Sequence, residues 1–265
     1  MPLERPLVMG VVNVTPDSFS DGGSFLSPQA AIARALELVK EGADLIDIGG
    51  ESTRPGALPV SAAEELQRIL PVLEGLRDRQ TPISVDTRRP QVMKAALEAG
   101  ASMINDIEAL GAPGALEAVA ASGCGVCLMH KKGEPATMQQ APRYDDVVRE
   151  VSAFLRERIS VCEQAGIARD RIVADPGFGF GKTVEHNLEL LRHLKEFSSL
   201  NVPLLAGLSR KSTLGNLTGR PPEERLAGSL AMALLALLGG ATILRVHDVK
   251  ETRDVIAVWK AYAVS

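Results

Sequence analysis

The run LVMGVVNV at residues 7–14 is apolar and rich in valine, and turn-forming residues follow it directly. A short run of this kind is typical of a buried β-strand. Seven further apolar runs follow along the chain, at residues 44–50, 82–87, 102–107, 125–130, 172–177, 203–209 and 242–248. The pattern predicts eight strands.

Amphipathic or alanine-rich segments separate most of these runs and predict helices. They cover Ala30–Glu41, Ala62–Leu76, Pro90–Ala99, Asp145–Gln164, Glu185–Lys195, Glu223–Gly239 and Val249–Tyr262. Alternating strands and helices favour parallel strands joined by crossover helices, and eight such units in about 250 residues are typical of a (β/α)8 barrel. We predict an α/β protein in which residues 1–265 form a single-domain TIM barrel. An open, doubly wound sheet is the alternative.

The bulk composition limits the classes of partner. The chain has 265 residues, a net charge of −4 and a pI near 5.7, which argues against a basic surface for nucleic acid or anionic membranes. No secretory signal opens the chain, and the longest apolar stretch, residues 226–238, is too short to cross a membrane. Three cysteines suit a reducing compartment. We expect a cytoplasmic protein that binds neither nucleic acid nor membranes.

Cys124 and Cys127 form a C-x-x-C pattern, with His130 three residues later. This spacing raises the question of zinc or redox chemistry. The surrounding residues are predicted to form a strand, in which residues three apart point to opposite faces. We therefore predict that the two thiols fill the core.

The segment ADPGFGFGKT, residues 174–183, resembles a phosphate-binding P-loop at first sight. A P-loop needs a glycine five residues before its Gly-Lys-Ser/Thr. That position is occupied by Pro176, which lacks an N–H and has a fixed φ. The segment therefore needs a different explanation.

Polar residues stand at the end of each predicted strand. They are Asn13, Asp47 with Glu51, Asp86, Asn105 with Asp106, His130, Asp175, Ser209 with Arg210 and Lys211, and Arg245 with His247. In (β/α)8 barrels the active site lies at the carboxyl ends of the strands. The set predicts a site at that end of the barrel.

The basic members of this set suit an anionic leaving group. Lys211, Arg245 and His247 could hold a diphosphate, and Asn13 could place a magnesium ion against it, since magnesium on a diphosphate often uses only one or two protein oxygens. Asn13 could equally be a turn former.

The carboxylate and amide members suit a neutral heterocycle. Asp86, Asn105 and Asp175 offer acceptors for several N–H donors along one edge, because an ionised carboxylate only accepts hydrogen bonds. No nucleophilic triad or zinc-binding helix motif is visible. Group transfer from a diphosphate ester fits these residues best.

Eight motifs resemble, in order and spacing, those of the dihydropteroate synthase family of folate biosynthesis. They are VMGVVNVTPDSFSDGG, DIGGESTRPGA, ISVDT, INDI, LMH, DPGFGFGKT, LSRKS and RVHDVKET, between residues 8 and 252. The resemblance implies condensation of 6-hydroxymethyl-7,8-dihydropterin diphosphate with p-aminobenzoate, giving 7,8-dihydropteroate and diphosphate. It also implies competition by sulfonamides, a requirement for Mg²⁺ and a homodimer formed through the apolar helices near the C-terminus.

The resemblance also assigns roles to individual residues. The pterin site would comprise Asp86, Asn105, Asp175, Lys211 and Arg245. Diphosphate and magnesium would lie among Asn13, Arg54, Arg245 and His247, with Asn13 as the metal ligand. The p-aminobenzoate site would comprise Phe19, Thr53, Pro55, Phe180 and Ser212. The catalytic residues would be Asp21, Asp86 and Lys211, with the two aspartates stabilising a cation-like transition state.

Four basic residues depart from the family pattern: Arg88, Arg89, Lys131 and Lys132. They follow the third and fifth predicted strands, and Glu108 follows the fourth. Their effect on the electrostatics of these loops is left open by the sequence.

Two other functions compete with this interpretation. One is a methyltetrahydrofolate-binding barrel of the corrinoid methyltransferases, which would not need the basic elements SRKS and RVHD. The other is a non-catalytic pterin-binding paralogue, which would have degraded loops after the first two strands. Both loops have the family pattern here.

Overall fold

Eight parallel strands form the centre of the computed structural model, which describes residues 5–15, 27–52, 59–134 and 137–263. The strands are β1 (Leu7–Asn13), β2 (Leu45–Gly49), β3 (Ile83–Asp86), β4 (Met103–Asp106), β5 (Gly125–Met129), β6 (Ile172–Asp175), β7 (Leu205–Ala206) and β8 (Ile243–Val246). Each predicted apolar run contains one of them.

The sheet closes on itself. Strand β1 pairs with both β2 and β8, and the strands between them pair in the order β6-β5-β4-β3-β2-β1-β8-β7. The remaining gap is bridged where Ala174 pairs with Leu204 and its N–H donates to the carbonyl of Pro203 at 2.9 Å. The predicted (β/α)8 barrel is therefore confirmed, and the open-sheet alternative is wrong.

Helices surround the barrel. Those in the described residues are α1 (Pro28–Glu41), α2 (Ala62–Leu76), α3 (Pro90–Glu98), α4 (Ala115–Ala120), α5 (Val147–Gln164), α6 (Val184–Arg192), α7 (Ser212–Thr218), α8 (Leu226–Leu238) and α9 (Val249–Ala263). The sequence pattern did not predict α4 and α7. Each spans about two turns, too short to show a helical period, and α7 contains Gly215, which weakens a helix interior.

Side-chain caps fix where several helices begin. Ser27, Ser61, Asp146 and Thr183 each accept a hydrogen bond from a backbone N–H in the first turn of α1, α2, α5 and α6, respectively. Such caps satisfy N–H groups that the helix itself leaves unpaired. Because these helix starts follow the loops at the carboxyl ends of the strands, the caps also fix where those loops end.

Two apolar clusters flank the strands. The larger cluster lies between the strands and the helices and includes Ile46, Ile48, Val85, Ile104 and Leu128. The smaller fills the barrel interior, and its buried members are Met9, Leu45, Met103, Cys127, Val173, Leu205 and Ile243. We call this smaller cluster the barrel floor.

The site lies one layer above the barrel floor. Side chains two positions apart in a strand point to the same face. Four floor residues are followed two positions later by polar ones: Asp47, Asn105, Asp175 and Arg245. The strand period therefore places these four side chains inside the barrel, towards the carboxyl ends of the strands.

No helix of the described residues is long and apolar enough to cross a membrane.

Candidate active site

A cavity of about 750 Å³ opens at the carboxyl ends of the strands. The predicted site residues that line it are Asn13, Asp86, Phe180, Lys211, Ser212, Arg245 and His247. Asn105 and Asp175 are each only 4% exposed and belong to the same interior layer as Arg245. The barrel therefore brings residues from six of its strands and the loops after them to one place.

Five predicted site residues lie outside the described residues: Phe19, Asp21, Thr53, Arg54 and Pro55. Their roles stay predictions.

Arg245 is held between two carboxylates. Its Nε lies 2.6 Å from Asp47 Oδ2, and its Nη2 lies 2.8 Å from Asp86 Oδ2. Asn105 donates from Nδ2 to the same Asp47 oxygen at 3.1 Å. Asp47 is fully buried. It therefore fixes the orientations of Arg245 and Asn105, a role that the sequence did not predict, although its position two residues after Leu45 marks it as inward-facing.

The ionic groups shift one another's pKa values. Burial raises the pKa of Asp86 to about 7; Arg245 lowers it and the charge of Asp47 raises it further. Burial lowers the pKa of Lys211 to about 8, with Asp175 acting in the opposite sense and Arg245 adding to the decrease. Burial also raises the pKa of Asp175, although Lys211 partly opposes this. Two groups of the cluster, Asp86 and Lys211, thus titrate near neutral pH.

Buried acceptors in this layer lack protein donors. Asp47 Oδ1 and Asn105 Oδ1 have no hydrogen-bond partner among the described residues. A buried polar atom without a partner costs about 1–3 kcal/mol. These oxygens are therefore suited to accept hydrogen bonds from a ligand with N–H groups.

The loop after β6 contains three glycines in the left-handed region, with φ of +70° at Gly177, +81° at Gly179 and +64° at Gly181. A Cβ on Gly177 would lie 1.8 Å from the carbonyl oxygen of His130, and one on Gly181 would lie 2.1 Å from that of Lys132. Glycine is therefore required by close backbone contact with the loop after β5. This is the explanation for the segment ADPGFGFGKT, and it needs no phosphate.

Lys211 joins this loop to the cavity. Its Nζ donates to the carbonyl of Phe178 and lies 4.7 Å from the ring centroid of Phe180. His247, which also lines the cavity, has its Nδ1 3.0 Å from Ser209 Oγ. Lys211 is thus held by the loop after β6, and His247 is held by the loop after β7.

The basic residues after β3 pair with acidic ones. Arg89 Nη1 lies 2.7 Å from both Glu51 and Glu65, and its Nη2 donates to the carbonyl of Val60 at 2.5 Å. Arg88 pairs with Glu51 at 3.3 Å. These two arginines therefore tie the loop after β3 to the chain on both sides of residues 53–58.

Glu108 extends these ion pairs to the next two loops. It accepts from Arg88 at 3.1 Å and from Lys131 at 3.0 Å. Lys132 instead pairs with Glu150 at the surface, at 3.1 Å. The departures from the family pattern thus form ion pairs with nearby carboxylates.

Two polar strand ends serve other purposes. Both carboxylate oxygens of Asp106 accept from backbone N–H groups, those of Glu108 and Leu110, at 2.8 Å, so that Asp106 stabilises a turn. His130 is buried against Lys182, with Nδ1 and Nζ 3.0 Å apart.

The two cysteines of the C-x-x-C pattern lie on opposite sides of the sheet, as predicted. Cys124 packs in the outer cluster and Cys127 in the barrel floor. Within the described residues, no group of three or more His, Cys, Asp or Glu side chains is placed to hold a metal ion.

Comparison with known proteins agrees with this geometry. The model of the family described as pterin binding enzyme matches residues 9–247. The dihydropteroate synthase of Escherichia coli K12 is 54% identical over 260 residues, which cover 98% of this chain and 92% of that protein.

Solved structures give the same result. The dihydropteroate synthase of Yersinia pestis, in a sulfonamide drug complex, has a TM-score of 0.95 at 49% identity, covering 98% of this chain and 95% of that one. The Xanthomonas albilineans enzyme with 7,8-dihydropteroate has a TM-score of 0.88 at 50% identity, covering 100% and 96%. The same enzyme with 4-aminobenzoic acid has a TM-score of 0.93 at 56% identity, covering 99% and 94%. The chain therefore belongs to the pterin-binding enzyme family, within which these relatives are dihydropteroate synthases.

Proposed function

We propose that this chain condenses 6-hydroxymethyl-7,8-dihydropterin diphosphate with p-aminobenzoate to give 7,8-dihydropteroate and diphosphate. One observation carries the proposal. Asp47 Oδ1 and Asn105 Oδ1 are buried acceptors with no donor among the described residues, and they occur in the same layer as Arg245 at the end of a barrel. This combination suits a ligand with an N–H-rich ring and an anionic substituent.

The pterin ring would bind to the interior layer. Asp86, Asn105 and Asp175 would accept from its N–H groups. Lys211 would donate to the ring carbonyl, and Arg245 would cover one face. The burial of Asn105 and Asp175 supports this assignment, because a hydrogen bond shielded from water is stronger than one at the surface.

The diphosphate would bind at the outer part of the cavity. Arg245 and His247 would contact its oxygens, with Arg54 as a further predicted contact. Magnesium prefers oxygen ligands and keeps several water or phosphate oxygens. The amide of Asn13, which lines the same cavity, fits that requirement. Asn13 would hold the ion, which would neutralise charge on the leaving group.

The reaction breaks the bond between the pterin methylene carbon and the diphosphate oxygen, whose electron pair leaves with diphosphate. Positive charge develops on the methylene and ring. The Asp86 carboxylate, together with Asp21, would stabilise that charge. The amine lone pair of p-aminobenzoate forms the new C–N bond, and the proton that the nitrogen then loses passes to solvent. An arylamine is weakly basic, so the step needs no dedicated general base.

The p-aminobenzoate site would lie towards the outside of the cavity. Phe180 and Ser212, which line the cavity, would form part of it, and Phe19, Thr53 and Pro55 would complete it. Sulfonamides would compete for this place. The sulfonamide complex of the Yersinia pestis relative supports that expectation.

A homodimer and a cytoplasmic location also belong to this proposal. Exposed apolar side chains cluster on α7, α8 and α9, with Leu217 at 50%, Leu238 at 51% and Val258 at 66% exposure, and these helices include the predicted dimer surface. The three cysteines are unpaired and buried, which fits a reducing compartment.

Incubation with the pterin diphosphate, p-aminobenzoate and Mg²⁺ tests the proposal. We expect formation of 7,8-dihydropteroate together with an equal amount of diphosphate, and inhibition by a sulfonamide that p-aminobenzoate relieves. Binding of the pterin diphosphate without product would instead identify a non-catalytic pterin-binding paralogue.

A further inference from the structure

Lys182 is a buried cation that the proposed mechanism does not use. It is 2% exposed. Its Nζ lies 2.8 Å from the carbonyl of Gly177, 3.1 Å from that of Phe180 and 3.4 Å from that of His130. The fourth neighbour is Nδ1 of His130, at 3.0 Å. The ammonium is thus surrounded by acceptors from two loops at the rim of the barrel.

The charged groups around Lys182 are compatible with this arrangement. Burial, aided by Lys182, lowers the pKa of His130 to about 3, so His130 is neutral at physiological pH and its Nδ1 can accept a hydrogen bond. Burial lowers the pKa of Lys182 to about 7, Asp175 raises it, and Lys211 and Lys132 lower it. Asp175 therefore helps to keep Lys182 charged.

Side chains hold each carbonyl of the loop in turn. From Gly177 to Lys182, six consecutive carbonyls accept from Lys182, Lys211, Gln139, Lys182, Tyr144 and Asn187, in that order. Lys182 is the donor that occurs twice, and it joins the start of the loop to its middle. Its loss would leave the carbonyls of Gly177, His130 and Phe180 without this side-chain donor.

The middle of this loop carries groups of the cavity, whereas Asp175, which precedes the loop, is held by strand β6. The carbonyl of Phe178 accepts from Lys211, and the ring of Phe180 lies beside the same ammonium. Asp175 belongs to β6, where it is in register with Met129, and its carboxylate accepts from the N–H of Gly177 at 2.7 Å. A change at Lys182 should therefore move Phe180 more than Asp175.

We propose that Lys182 is a positioning residue, which holds the loop after β6 so that Phe180 and the Phe178 carbonyl face the cavity. This role rests on the proposed function, since it concerns the p-aminobenzoate side of that site. The pterin acceptors Asp86, Asn105 and Asp175 lie on strands, and the charge of Lys182 lowers the pKa of Asp175 less than that of Lys211 does. The two substrates should therefore respond differently to its replacement.

The test replaces Lys182 by methionine, which has a similar length and no charge. We expect the KM for p-aminobenzoate to rise about tenfold or more, which corresponds to about 1.4 kcal/mol. The Kd of the pterin diphosphate, measured by calorimetry, should change by less than about threefold. Loss of a hydrogen bond to one of the pterin acceptors on the strands would change this Kd by more. The matched control is Lys195→Met, since Lys195 is an exposed lysine outside the loops after β5 and β6. Its KM should stay near the original value.

Two results would overturn the role of Lys182. One is a lower Tm with both substrate constants unchanged, which would make the residue structural only. The other is an equal loss for both substrates. If Lys182→Met does not fold, Lys182→Gln is measured instead. It must show the same difference, a raised KM for p-aminobenzoate with a nearly unchanged Kd of the pterin diphosphate. Activity of the unaltered chain is measured first, because its absence would refute the proposed function and leave the loop contacts untouched.

Discussion

Replacing Asp47 by asparagine should change how the rate depends on pH as well as how stable the protein is. Asp47 is fully buried and accepts from Arg245 Nε at 2.6 Å and from Asn105 Nδ2 at 3.1 Å. Asparagine has the same size, removes the charge and turns one acceptor oxygen into an N–H₂ donor, which can occupy the place of Oδ1, an atom without a partner among the described residues. The variant therefore tests whether this carboxylate positions Arg245 and tunes Asp86.

The expected loss of stability follows from the ion pair. Removing one partner of a buried pair typically costs about 3–5 kcal/mol. Arg245 keeps its second partner, Asp86, at 2.8 Å, and its own side chain is 20% exposed. We therefore expect a smaller decrease in the free energy of unfolding, about 2–3 kcal/mol, near the value of one hydrogen bond to a charged group.

The effect on the pH profile has a definite sign. Asp86 must be ionised to stabilise the developing cation, so kcat/KM should rise as pH increases through its pKa of about 7. The charge of Asp47 is one cause of that raised pKa. In Asp47→Asn this cause is absent and Arg245 still favours the ionised form, so the rise should move to lower pH.

The measurement is kcat/KM for the pterin diphosphate from pH 5 to 9, about two units on either side of the pKa of Asp86, with urea unfolding of the same samples. Ser84→Ala is the matched control. Ser84 is the register partner of Asp47 on β3, is equally buried, and its Oγ has no hydrogen-bond partner among the described residues. It should leave the profile in place. An acid limb at the same pH in Asp47→Asn and in the unaltered chain would refute the coupling of Asp47 to Asp86.

Three further changes test separate parts of the structure. Asp175→Asn should lower kcat/KM by about a hundredfold or more, because a charged acceptor becomes a group that also presents N–H₂ to a ring donor; unchanged pterin binding with a lower Tm would remove Asp175 from the site. Replacing Cys124 and Cys127 by alanine should lower the Tm through lost packing and leave turnover nearly intact; zinc bound at one equivalent to the purified protein would contradict this expectation. His130→Asn removes a group whose pKa falls from 6.5 to about 3 on folding. Below pH 6.5 the unfolded chain binds a proton that the folded chain does not, so the unaltered chain should lose up to about 1.4 kcal/mol of unfolding free energy per pH unit relative to the variant. Urea titrations of both proteins at pH 7 and 5 measure this difference, and no difference would mean that His130 is exposed.

The barrel was predictable because its signal repeats. Each strand lies in a short apolar run, and polar residues occur at or near its carboxyl end in every unit. Helix α4 was not predictable, because six residues, Ala115–Ala120, are too few to show a period of 3.6. Residues in strands thus revealed the fold more clearly than residues in the shorter helices.

The contacts within the site were less predictable than its members. Asp47 and Arg245 are 198 positions apart in the sequence, and only the closure of β1 between β2 and β8 brings them together. Asp106, by contrast, was expected among the site residues and has a structural role instead. Its place at a strand end resembles that of a site residue, but its carboxylate stabilises a turn in which Ala109 and Leu110 have φ of +50° and +58°.

The interior layer combines opposing requirements. It holds Asp47 Oδ1, Ser84 Oγ and Asn105 Oδ1 without hydrogen-bond partners among the described residues, and each such atom reduces stability. The barrel floor beneath it and the outer cluster are apolar and buried, so that most of the hydrophobic stabilisation comes from residues outside this layer. The two-residue period of the strands separates ligand binding from stabilisation of the fold. A residue and the one two positions later face the same barrel interior at different heights. This separation allows the layer at the carboxyl ends to keep acceptors unpaired for a substrate while the rest of the barrel maintains the fold.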